Sequence, residues 1–85
     1  MIIPEVMMDS VKRAIALIKA GDWSGAHSLV QDDNDTLSCL IHAYLHREEG
    51  DLGNAGYWYR RAGEAFPDNT LAQELARLTK RVEQL

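Results

Sequence analysis

One punctuation mark occurs twice in this chain. Gly21-Asp22-Trp23 is followed by Ala26, and Gly50-Asp51-Leu52 by Ala55, so a glycine, an aspartate and an alanine recur at the same offsets. Glycine ends a helix because it takes up the left-handed backbone of a C-terminal cap without steric cost. An aspartate directly after it accepts the free N–H groups that open the next helix. Such a chain is restricted to helix, tight turn, helix, and then the same again.

Helical spacing fills the intervals. Val11, Ala14, Ile15 and Ile18 recur at three and four residues, which predicts a first helix over about 4–20, stopped by Gly21. A short second helix follows over about 23–31. In the loop Asp32-Asp33-Asn34-Asp35, Asn34 or Asp35 caps a third helix with an apolar stripe of Leu37, Leu40, Ile41, Tyr44 and Leu45. Asp51 caps a fourth, with Leu52, Ala55, Tyr59, Ala62 and Phe66 as its core stripe and Pro67 as its stop. Gly56 and Gly63 inside that helix predict a close crossing by another one. Thr70 opens the fifth helix, where Gln73 or Glu74 completes a capping box. Leu71, Leu75, Leu78, Val82 and Leu85 then form a narrow seam by which a terminal helix docks. The expected fold is all-α: a hairpin over about 5–31, a second over about 35–66, and a capping helix over about 69–84.

The second copy of the punctuation resembles the tetratricopeptide repeat, with Gly50, Asp51, Ala55, Tyr59, Ala62 and Pro67 on family positions and Ala43 as the small residue that nests against Ala55 and Ala62. The segment from Asn54 to Ala62 is equally similar to the Sel-one-like relatives of that family. Trp23-x3-His27, His42-Ala43-x2-His46-Arg47-x-Glu49-Gly50-Asp51 and Tyr57-Trp58-Tyr59, in this order, also resemble a group of short bacterial proteins of unassigned activity, over about residues 11–66. The resemblance implies antiparallel hairpins in a right-handed stack and supplies no reaction. Such stacks need about three repeats or a capping helix, so the fifth helix is the natural cap for two and a half.

Composition narrows the functions. The net charge of −4 argues against nucleic acid, since binding phosphates needs a basic surface. Arg60, Arg61, Arg77, Lys80 and Arg81 alternate with Glu64, Glu74 and Glu83, which describes a solvated helix face. The single cysteine, Cys39, has no partner for an internal disulfide and suits a reducing compartment, with cytoplasm the default. Residues 1–8 lack the basic start of a signal peptide, and no apolar run approaches the ~20 residues of a membrane span. No cofactor and no catalytic motif is implied.

Two constellations remain. On a helix, Cys39, His42, His46 and Glu49 share the side opposite the apolar stripe. His42 and His46, at i and i+4, can ligate one metal ion jointly, and the hairpins bring His27 near. With Glu49 and Trp58 these residues form a candidate metal or small-ligand site, the identity of the metal open. The alternative is that both histidines are packing residues satisfied by Tyr57, Trp58, Tyr59 or backbone groups. Cys39 beside His42 lacks an orienting acid, so a cysteine hydrolase is not expected.

The second constellation follows from the family register, which implies a helix-lined groove of Leu40, Tyr44, Arg47 and Glu48. On that reading the chain is a non-enzymatic interaction module for a protein or peptide, or a homodimer through its terminal helix. The aromatic residues Tyr57 and Trp58, flanked by Arg60 and Arg61, serve either inter-helix packing or an interface.

Overall fold

The computed structural model describes residues 5–85, with side chains from residue 9 onward. It is all-helical, with no strand among the described residues: α1 Glu5–Lys19, α2 Trp23–Val30, α3 Thr36–Glu48, α4 Leu52–Arg61 and α5 Leu71–Glu83. The expected start of the first helix near residue 4 lies outside the described residues.

The duplicated punctuation acts in both copies as its chemistry requires. Gly21 and Gly50 have φ of 82° and 85°. At each, paired bonds close the preceding helix: Gly21 N–H donates to Ile18 O and Asp22 N–H to Leu17 O, and Gly50 N–H to Arg47 O and Asp51 N–H to His46 O. Asp22 and Asp51 then accept from the N–H groups of Gly25 and Asn54. Asp35 caps α3 through Ser38 N–H, and Thr70 with Gln73 forms the capping box of α5.

Packing pairs α1 with α2 and α3 with α4 most extensively, while α5 lies against α3 and α1. Ala43 and Ala55 are wholly buried. All four other helices rest on α3, and every α3 residue from Leu37 to His46 is buried. The two-faced third helix expected from the sequence is therefore a central helix, covered on its polar side as well.

Two expectations for α4 are corrected. The helix ends at Arg61, because Gly63 rather than Pro67 provides the left-handed stop, with φ of 77° and bonds from Gly63 N–H to Arg60 O and from Glu64 N–H to Tyr59 O. Phe66, beyond that stop, and Leu52, the first residue of α4, are both outside the core, 43% and 60% exposed. No helix crosses at Gly56 either; a Cβ there meets only Arg60 and Phe66 side chains at ordinary contact distance.

The docking of α5 depends on a polar cluster that composition alone assigned to solvent. Glu74 is wholly buried. Its carboxylate accepts from Tyr59 OH at 2.7 Å, Asn69 Nδ2 at 3.0 Å, and Arg77 Nε and Nη2 at 2.7 and 2.8 Å. Burial pushes this carboxyl up, but the donors from Arg77, Tyr59 and Asn69 outweigh it and hold it at about 2. Glu64 extends the cluster by accepting from Arg77 and Arg81.

Three of the four residues expected to line a groove are engaged within the chain itself. Leu40 is wholly buried, Tyr44 nearly so, and the Arg47 guanidinium is spent on Asn69 Oδ1, Asn69 O and Tyr59 OH. Only Glu48 of the four remains exposed.

Candidate metal centre

Three histidines converge where α2 meets α3. His42 and His46 lie one turn apart on α3, and His27 reaches them from the middle of α2. Each offers a ring nitrogen, and the three ligand atoms all lie within 4.8 Å of one another. A tetrahedral ion with metal–nitrogen bonds of 2.0–2.1 Å holds its donors ~3.4 Å apart, so closure requires only small rotamer adjustments. His42 and His46 are buried and His27 half-buried.

Aromatic rings brace the imidazoles. Trp58 stacks on His42 with centroids 3.9 Å apart, and Trp23 on His27 at 4.7 Å. Trp23 is itself fixed across the helix interface, its Nε1–H donating to Leu45 O at 2.8 Å. Arg61 also lies over the Trp58 ring, its guanidinium 5.0 Å from the ring centroid. Trp58 is thus a wall of the site and no ligand, since an indole nitrogen has no lone pair to give. Trp23, noted in the Trp23-x3-His27 motif, was not included among the candidate site residues, although its position four residues before His27 places both on one face of α2.

Electrostatics keeps lone pairs available. Burial, with the neighbouring His27 and His46, brings His42 down to about 4. Burial and His46 lower His27 as well, against a raising contribution from Glu49. Both are neutral at physiological pH. His46 Nδ1 lies 2.6 Å from Glu49 Oε1; a proton on Nδ1 donates to that carboxylate and leaves Nε2 free as a donor to an ion. Glu49 therefore orients the His46 ring from outside the three-histidine group.

His42 Nδ1 is buried and has no hydrogen-bond partner among the described residues. The expectation that Tyr57, Tyr59, Trp58 or backbone groups satisfy this histidine is not met at that atom: Tyr59 OH goes to Glu74 and Tyr57 OH accepts from Arg61. Cys39 stands apart from the cluster, buried, its thiol pushed up chiefly by that burial. It has the character of a packing residue.

No helix among the described residues is long and apolar enough to cross a membrane. No family model, curated protein or solved structure matches the chain.

Proposed function

We propose that this protein binds one divalent transition-metal ion through His27, His42 and His46, with Glu49 orienting His46 and with Trp23 and Trp58 as aromatic walls. Three imidazoles suit zinc, copper, nickel or iron and offer nothing to calcium or magnesium, which take oxygen ligands. The ion ties α2 to α3, joining the two hairpins at the point where their packing is polar. A single observation carries the reading: the buried imidazole of His42, whose Nδ1 lacks any partner among the described residues, belongs to a group of three histidines whose ligand nitrogens lie within 4.8 Å of one another. Leaving such a group unsatisfied costs about 1–3 kcal/mol, and coordination through that atom removes the cost.

The interaction-module reading draws no comparable support, because two of its four groove residues are core. The test of the metal reading is calorimetric titration of the metal-free chain with Zn²⁺. Binding at one ion per chain is expected, lost in His42→Ala and His46→Ala; equal heats in those variants, or none in the parent chain, refute it.

A further inference from the structure

The turn between α3 and α4 sets a second group of donor atoms beside the first. His46, Glu49 and Asp51 each offer a ligand atom, and these also lie within 4.8 Å of one another. His46 belongs to both groups. Its Nδ1 faces Glu49, and its ring as a whole sits 4.8 Å from His42 and 5.5 Å from His27 by centroid. Burial runs in one direction across this ring: His42 and His46 are buried, whereas Glu49 and Asp51 are exposed. Asp51 uses Oδ1 to cap α4, through Asn54 N–H, and Oδ2 makes no side-chain hydrogen bond among the described residues. Arg47, the nearest cation along the chain, is turned away toward Asn69.

A hydrated ion cannot approach buried imidazoles without first exchanging water for protein ligands, so a buried site needs a way in. We propose that Glu49, Asp51 and Nδ1 of His46 form a surface port, a transient metal position that captures the ion and hands it across the His46 ring to the three imidazoles. This rests on the three-imidazole reading above. The proton balance closes. In the free protein the His46 tautomer with its proton on Nδ1 donates to Glu49. At the port the ion takes Nδ1 and the proton resides on Nε2; after transfer the ion takes Nε2 and the proton returns to Nδ1, again held by Glu49. The ring keeps one proton throughout, and the carboxylates offset the ion's charge only while it is at the surface.

The port has a kinetic signature distinct from simple attraction. A group that stabilises a way station speeds arrival and departure alike, whereas a group that only attracts the ion speeds arrival. The experiment is stopped-flow mixing of the full chain with Co²⁺, read as quenching of tryptophan fluorescence, since Trp58 and Trp23 stack on two of the ligands. Asp51→Asn is the informative variant, because asparagine caps a helix as well as aspartate and the fold is retained. Removing one carboxylate charge a few ångströms from a divalent ion in water slows both association and dissociation by roughly tenfold, leaving Kd within about twofold of the parent. Unchanged rates in Asp51→Asn overturn the port, and so does slower association alone with Kd rising in proportion. No Co²⁺ binding by the parent chain overturns the three-imidazole site itself, whereas tight binding with unaltered Asp51→Asn kinetics retires the port alone.

Discussion

Replacing His42 by leucine separates the candidate site from the scaffold. In the metal-free protein the substitution removes a buried nitrogen without a partner, a gain of about 1–3 kcal/mol. It also forfeits the stack on Trp58, a loss of about 0.5–1.5 kcal/mol. The balance favours the variant by about 1 kcal/mol at neutral pH, or a Tm rise of roughly 4–8 °C for a chain of this size. Acid enlarges the difference. The folded-state pKa of His42 lies at about 4 against an ordinary 6.5, so between these values the unfolded chain binds more protons than the folded one. The contribution of neutral His42 is therefore complete above pH 6.5 and is lost as pH falls toward 4, a change of about 3 kcal/mol that the variant does not undergo. Zn²⁺ acts in the opposite sense. At a thousandfold excess over Kd it stabilises the parent by about 4 kcal/mol, and the variant by far less. Thermal melts followed by circular dichroism at pH 7.5, with and without Zn²⁺, and at pH 4.5 without it, read all three quantities. A His42→Leu protein that melts lower than the parent at both pH values and keeps the full Zn²⁺ shift refutes the reasoning.

Glu74→Gln leaves Arg77 and Tyr59 facing a neutral amide and is expected to cost about 3 kcal/mol by urea denaturation at pH 7. The parent's contribution from this carboxyl is present above pH 4.5 and lost as pH falls to about 2, so the two proteins converge in stability across that window; parallel pH profiles count against a buried carboxylate. Gly50→Ala introduces a Cβ that meets nothing within 4 Å but forces a left-handed backbone at φ of 85°, for a loss of about 1–2 kcal/mol by chemical denaturation. D-Alanine at the same position, placed by chemical synthesis, restores the parent value, and equal losses for both enantiomers contradict the backbone account.

Local chemistry is what a sequence displays most openly, and the elements read well here are the local ones. Gly21 and Gly50 had to be left-handed, and Asp22, Asp35, Asp51 and Thr70 cap as their side chains dictate. The pairing of His42 with His46 followed from one turn of helix, and the arrival of His27 from adjacent hairpins. What was hidden depends on where α5 comes to rest. Cys39, His42, His46 and Glu49 were legible as one side of α3, but that α2 and α4 both cover that side is a matter of tertiary packing; Leu40 and Tyr44 suggested a partner surface, whereas the chain covers them itself. Glu74 carried a readable hint, lying three residues after Leu71 and four before Leu78 on the docking face, but only coordinates reveal that Tyr59 and Asn69 arrive to meet it. The early end of α4 was missed because Gly63 was weighed as a packing contact instead of a cap.

The helix that holds two of the three imidazoles is also the mast to which every other helix is lashed. The candidate donors and the architecture share one helix, so neither can be altered alone. A designer wishing to graft these donors onto another scaffold must transplant α3 together with its neighbours, and an ion that shifts α3 by a fraction of an ångström pulls on the whole rigging at once.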